Sequence, residues 1–298
     1  MADYTIKDIR NIALISHAGS GKTSFAEAIV YNAGASNRFG KVDDGTTVSD
    51  YSEDEIERKV SISASILSFK YNNKKINMID APGYADFMGE VLSALNAVDS
   101  AVLLVDAHDG IQVGTEKTWS MASDMGLARV IFLNKLDKEN VNFYAIVDSI
   151  RERFGKSCVL VNMPIGVGPD FKGVIDLLDA GANGRSPLPD GEDKEKALEL
   201  RDALIEAIAE KNDDLLEKYL EGKELTPEEI KNGFKKAVSG KELFPIYCGS
   251  ATLNTGVKEL MASIFDILPS PSDVKPRNAK DPDTNQDKEL KLNGNGNF

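Results

Sequence analysis

Cysteine, histidine and tryptophan are almost missing from this 298-residue chain, which has two, two and one of them. Cys158 and Cys248 lie far apart with no metal-ligand spacing, which points to two idle thiols in a reducing compartment and away from a disulfide framework. Neither His17 nor His108 is paired by the sequence with a serine or cysteine nucleophile, and His108 reads as a solvated loop residue. Positive charge is also short, 35 Lys and Arg against 48 Asp and Glu, for a formal net charge of −13. That balance argues against binding nucleic acid through a broad basic face. Docking to a ribonucleoprotein through local basic spots, or of acidic surface on a basic protein, stays open. The first apolar run, NIALIS at 11–16, is far too short to cross a bilayer and follows the acidic Asp3 and Asp8. A cytoplasmic chain with no membrane partner is the expectation.

What is present is an ordinary globular composition, 42% hydrophobic and 28% charged, with length for about two domains. NIALIS reads as a buried strand leading into HAGSGKTS, and FAEAIVYNAG has helical spacing with Gly34 as C-terminal cap. Residues 36–60 are polar and aperiodic, as expected of a long exposed loop that is either functional or plain surface. SISASILSFKY, NNKK and INMID read as strand, turn and returning strand. Helix VLSALNAVD, strand SAVLLVDA, helix TEKTWSMASDMG and strand ARVIFLNK follow, with Trp119 expected in the core. Strands alternating with helices predict an α/β fold built on a doubly wound, mostly parallel sheet.

After DSIRERFG the rhythm changes. Residues 158–242 hold short strand-like runs, CVLVNMPIG and FKGVIDLL, and then long charged helices. TPEE opens the last of these, with Thr226 as cap and Pro227 in the first turn. The first rhythm resumes in LFPIYCGS and GVKELMASIFDIL. The expected organisation is one α/β domain from 1–157 and 243–275, an inserted α+β subdomain at 158–242, and a polar linker at 276–298 toward later domains. The linker ends on NGNGNF, too polar to pack by itself.

Four short motifs carry chemistry, each at the carboxyl end of an expected strand, where doubly wound sheets bind ligands. In SHAGSGKTS, residues 16–24, Gly19 and Gly21 let backbone N–H groups of His17, Ala18, Gly19, Ser20 and Gly21 curl round a phosphate at a helix start. Lys22 then reaches the β- and γ-phosphates, the Thr23 hydroxyl reaches Mg²⁺, and Ser24 follows. Ser16 stands where the loop pattern has its first glycine. In DAPGY, Asp80 suits Mg²⁺ and the Gly83 amide suits a γ-phosphate. In NKLD, Asp137 suits N1 and the 2-amino group of guanine, a donor pair that adenine lacks. Asn134 ties the base to the loop and the Lys135 stem lies on the ring. In GSA, Gly249, Ser250 and Ala251, the last residue's N–H suits guanine O6. NKLD argues against the rival reading of a P-loop kinase or ATPase.

Together these motifs resemble the GTP-binding domain of the translational GTPases, most closely bacterial elongation factor G. MPIGVGPDFKGVIDLL and EKYLEG resemble that factor's inserted subdomain, and GVKELMASIFDILPSPSD resembles the end of its GTPase domain. The resemblance covers residues 8–274. It implies a P-loop GTPase fold, GTP and GDP as substrate and product, and Mg²⁺ held by Thr23, Ser61 and Asp80. It further implies a monomeric protein whose full-length form works on the ribosome, with rRNA and the stalk protein as partners. The acidic helices after Asp190 are either a solvated face or the surface for that stalk protein.

The departures from the family are informative. Gly19 stands where elongation factor G has an acid, and RKVSI (58–62) stands for Arg-Gly-Ile-Thr-Ile, so that Ser61 keeps the metal-binding hydroxyl. Ala18 and Val60 make a smaller apolar fence, and Tyr84 occupies the place of the water-orienting histidine. Such departures resemble the divergent elongation factor G-like, or type two, paralogues. A phenol that is neutral near pH 7 is a poor base but still positions water. Lys22 and Tyr84 are therefore the expected catalytic residues, with slow intrinsic hydrolysis. The alternative is a GTP-responsive docking module that scarcely hydrolyses, with Tyr84 packed on the switch surface.

Overall fold

The computed structural model describes residues 4–179, 192–274 and 277–290. In chain order the elements are β1 (Ile9–Ser16), α1 (Lys22–Asn32), α2 (Glu53–Arg58), β2 (Ser65–Tyr71), β3 (Lys74–Asp80), α3 (Met88–Asn96), β4 (Ser100–Asp106), α4 (Val113–Asp124), β5 (Ala128–Asn134) and α5 (Phe143–Phe154). They continue with β6 (Cys158–Leu160), β7 (Asn162–Ile165), β8 (Gly173–Asp176), α6 (Glu192–Ala209), α7 (Asp213–Leu220), α8 (Pro227–Ser239), β9 (Phe244–Cys248), α9 (Val257–Ile267), β10 (Arg277–Lys280) and β11 (Asp287–Leu290).

Seven strands form one sheet in the order β2-β3-β1-β4-β5-β9-β6. All its pairs are parallel except β2 with β3. This is the expected α/β, doubly wound architecture. β4 and β5 are buried at every position, as central strands covered on both faces must be. The order reverses at β1, which has β3 on one side and β4 on the other. Ligands of such sheets bind at the carboxyl ends beside this reversal.

The β2–β3 hairpin turns at Asn72 and Asn73, with φ of 44° and 60°. Two consecutive left-handed residues are what a tight hairpin turn matched to strand twist requires, and asparagine tolerates them. Trp119 is buried as expected, stacked on Phe154 at 4.6 Å and edge-on to Phe244 at 5.3 Å. The Arg129 guanidinium lies 4.2 Å from the centres of both the Trp119 and Phe244 rings. His108 is at the surface against Asp109. Among the described residues no helix is long and apolar enough to cross a membrane.

Three boundaries differ from the sequence expectation. Cys158–Leu160 pairs in parallel with β9 and so closes the main sheet, although composition grouped it with the insertion. A three-residue strand has no periodicity to declare its partner, and only the register Cys158↔Phe244 assigns it. The loop at 36–60 contains the helix α2, opened by a capping box in which the Ser52 hydroxyl accepts from the Glu55 N–H and the Glu55 carboxylate accepts from Ser52. The polar linker contains the antiparallel hairpin β10–β11, while NGNGNF lies outside the described residues.

Thr226 caps α8 as expected, accepting from the Glu229 N–H at 3.3 Å while Glu229 accepts from the Thr226 N–H at 3.0 Å. Thr226→Ala is expected to lower unfolding stability by ~1 kcal/mol, read from the shift of the denaturation midpoint. Thr226→Ser restoring the midpoint would confirm the cap; no shift in the alanine variant would refute it.

Candidate functional site

The carboxyl ends of β1, β3, β4, β5 and β9 bring the motifs together. The loop after Ser16 turns through Gly19 and Gly21, with φ of 79° and 88°. A Cβ on Gly21 would lie 2.5 Å from the Asn134 Nδ2, so both backbone shape and the close approach of NKLD require glycine there. Lys22 is buried and donates to the Ser16 hydroxyl at 2.8 Å. Burial pushes the Lys22 ammonium down to about 8 against the opposing pull of Asp80 and Asp50. Gly83 presses on the loop, since an added Cβ would lie 2.5 Å from Lys22 Nζ and 2.9 Å from Ala18 Cα.

Thr23, at the start of α1, donates to Asp80 Oδ2 at 3.1 Å and lies 3.0 Å from the Ser61 hydroxyl. Ser61 in turn donates to Asp50 Oδ1 at 2.7 Å. Asp80 is buried and its Oδ1 has no hydrogen-bond partner among the described residues. Burial raises its carboxyl to about 6, partly offset by Lys22. Two hydroxyl oxygens and an unpartnered carboxylate oxygen are hard donors that fit a small oxygen-preferring cation. Among the described residues no group of three or more His, Cys, Asp or Glu is arranged for a metal. A cation here therefore fits the pattern in which few protein ligands are completed by phosphate and water.

At the other end, Asn134 bridges two loops. Its Nδ2 donates to the Ser20 carbonyl at 2.9 Å and its Oδ1 accepts from the Ala251 N–H at 2.9 Å. The Ala251 amide, expected to face a base oxygen, therefore braces Asn134. That contact joins residues 117 positions apart, and no local spacing announces it. The Leu136 N–H donates to the Gly249 carbonyl at 3.2 Å, and Ser250 and Thr255 pair across the GSA turn. Lys135, in the left-handed region at φ 67°, donates to the Gly19 carbonyl at 2.7 Å and pairs with Asp106 at 2.6 Å. Asp137 Oδ1 is buried with no partner among the described residues. An orphaned carboxylate oxygen is costly unless a ligand completes it.

A cleft of about 370 Å³ runs past the phosphate loop, lined by Ala18, Gly19, Lys22, Thr23, Ser24, Asp50, Lys59, Val60, Ser61, Gly83, Tyr84 and Lys135 among others. The Tyr84 side chain is 47% exposed at its wall and, among the described residues, has no hydrogen bond. His17 sits apart, its ring against α4, where a Cβ on Gly114 would meet Nδ1 at 2.6 Å.

Sequence reasoning passed over four acids. Asp50 receives Ser61. Asp106 pairs with Lys135, and stands opposite Asn134 in the β4–β5 register. Glu55, 3% exposed, accepts the Ile62 and Ser63 amides, and Glu27 is 1% exposed within α1. Signals existed for some of them. Asp106 ends an apolar strand as Asp80 does, Ser52 and Glu55 spell a capping box, and Glu27 interrupts the apolar run FAEAIV.

Residues 7–270 match the family described as the elongation factor Tu GTP binding domain. A crystal structure of a protein from Thermus thermophilus is 36% identical with a TM-score of 0.83, over 90% of this chain and 41% of that one. The chain thus spans less than half the length of that protein. With an apolar sheet carrying a phosphate-type loop, and an unpartnered carboxylate on the NKLD turn, the match agrees with the geometry: the chain belongs to the elongation factor Tu GTP-binding domain family, the translational GTPases.

Proposed function

We propose that this chain is the Mg²⁺-dependent GTP-binding and GTP-hydrolysing domain of a cytoplasmic, monomeric elongation factor G-like protein, of the divergent type-two kind, acting on the ribosome. The observation that carries the guanine assignment is the buried, unpartnered Asp137 Oδ1 beside an Asn134 that ties the phosphate loop to the GSA turn. In this reading Asp137 accepts from guanine, Lys135 covers the ring, and Asn134, Gly249, Ser250 and Ala251 shape the base end. The loop from His17 to Ser24 and Gly83 cradle the phosphates. The main sheet with its helices is the GTPase domain, including Cys158–Leu160, and the chain from Asn162 to about 242 is the inserted subdomain. rRNA and the stalk protein are the ribosomal partners.

Thr23, Ser61 and Asp80 would hold the cation, which when bound supplies positive charge where phosphoryl transfer builds negative charge. Lys22, already desolvated, adds a second fixed positive charge toward the β- and γ-phosphates. Loss of the γ-phosphate would release Ser61 and with it residues 36–62, which makes the segment a switch. Tyr84 orients the attacking water through a neutral hydroxyl and removes no proton.

A second reading, docking with little hydrolysis, draws on the same tyrosine, because its half-exposed side chain has no bond holding it on a water. Single-turnover GTP hydrolysis with ribosomes, using the full-length protein, separates the two. If Tyr84 positions water, Tyr84→Ala slows hydrolysis by about 10- to 100-fold and Tyr84→His retains or raises the rate. Equal rates for tyrosine and alanine would favour the docking reading.

A further inference from the structure

We propose that Glu27 is a positioning residue that makes the switch segment sense the third phosphate, by fastening that segment's backbone to the helix that opens at the phosphate loop. The inference deepens the GTPase reading and rests on it.

Glu27 is 1% exposed, and no lysine or arginine pairs with it among the described residues. Its charge is met by two backbone donors from the segment at 36–62. The Gly40 N–H donates to Oε1 at 2.7 Å and the Val48 N–H donates to Oε2 at 2.9 Å. A buried carboxylate is costly unless its oxygens are satisfied, and charge-assisted bonds of this kind are the strong ones. The fit at Gly40 is close: an added Cβ would lie 2.3 Å from the Thr46 carbonyl and 2.8 Å from Glu27 Oε1.

Thr23 and Glu27 are four residues apart on α1, hence one above the other on a single face. From Glu27 the chain of contacts runs to Val48, along two residues to Asp50, from Asp50 to Ser61, and from Ser61 back to Thr23. These links close a ring whose rigid side is one helical turn. Glu55 also holds Ser61's neighbours, accepting from Ile62 and Ser63. Glu55, however, lies inside the segment and moves with it, whereas Glu27 reaches it from the phosphate-binding helix. A γ-phosphate that draws Ser61 inward is therefore supported only while residues 40–50 stay seated on Glu27. GDP makes no such demand.

Glutamine at this position keeps the size of the side chain but supplies one acceptor oxygen and turns an NH₂ donor toward the second N–H. Equilibrium binding of GDP and of a non-hydrolysable GTP analogue with Mg²⁺ is compared for wild type, Glu27→Gln and Gly40→Ala. Both variants are expected to weaken the GTP analogue about tenfold while GDP stays within about twofold. Gly40→Ala disturbs the same seat without replacing any residue of α1, so the test survives a glutamine variant that does not fold. Amide exchange of the nucleotide-free chain is read alongside, and Gly40 and Val48 are expected to exchange faster in Glu27→Gln. Equal loss for both nucleotides, an unchanged ratio in both variants, or unchanged exchange at these amides would overturn the proposal. Failure of the GTPase reading looks different: wild type would then fail to prefer guanine over adenine nucleotides, whatever the exchange rates show.

Discussion

Asp137→Asn is expected to reduce GDP affinity by about 100-fold or more and to create affinity for xanthosine diphosphate. Asp137 Oδ1 is buried and has no partner among the described residues, so no hydrogen bond to that oxygen within them is lost when the carboxylate becomes an amide. Guanine presents two donors, N1–H and the 2-amino group, to the two oxygens of a carboxylate. Asparagine offers one acceptor and one donor, which leaves a guanine donor facing another donor. Xanthine has a carbonyl at position 2 and matches the amide. Competition of guanosine, xanthosine and adenosine diphosphates against a fluorescent guanine nucleotide reads the change. Unchanged GDP affinity in a folded variant, or displacement of GDP by equimolar ATP in wild type, would remove Asp137 from the base site.

Lys22→Ala is expected to have the larger effect, lowering affinity for both GDP and GTP by about 1,000-fold. Lys22 is almost wholly buried, with Ser16 as its hydrogen-bond acceptor and Asp80 and Asp50 as the opposing charges. The ammonium is already out of water before any phosphate arrives, so little solvent remains to be stripped from it on binding. Its loss also removes the positive charge that both the Asp80 and the Asp50 carboxylates feel, and the nucleotide-free chain is expected to melt earlier. Calorimetric titration with GDP, together with circular dichroism to confirm the fold, checks both parts. A folded variant that binds GDP within about threefold of wild type would overturn the role given to the loop.

The two effects differ in kind. In the proposed reading Asp137 selects the base, so its replacement is expected to change which nucleotide binds. Lys22 would meet the phosphates common to every nucleotide, so its replacement is expected to weaken all of them together.

Much of the fold was legible because its signals are local. NIALIS, SAVLLVDA and ARVIFL are apolar runs too short for helices and too apolar for edge strands, and they became β1, β4 and β5. The motif residues follow strand ends directly, so strand placement alone brought Lys22, Asp80, Asn134 and Cys248's neighbours to the carboxyl end of the sheet. Less was legible where polarity was taken as exposure. Residues 36–60 lack periodicity, yet Gly40, Thr47, Ser49, Asp50 and Glu55 are buried there. Gly40 is held by the Glu27 carboxylate, Asp50 by the bond it receives from Ser61, and Glu55 by the bonds it receives from Ser52, Ile62 and Ser63, and such bonds impose no repeat on the sequence.

The sequence by itself determined the alternation of strands and helices, the phosphate-type loop, the guanine-type NKLD turn and the cap at Thr226, since each depends on residues within a few positions of one another. Only the tertiary structure decided that Cys158–Leu160 completes the main sheet, that Ala251 braces Asn134, that Asp50 receives Ser61, and that Glu27 seats Gly40 and Val48. Each of these joins side chains and backbone across separate elements or along an aperiodic loop. Their pairing is set by where packing brings the chain back upon itself, which local spacing does not encode.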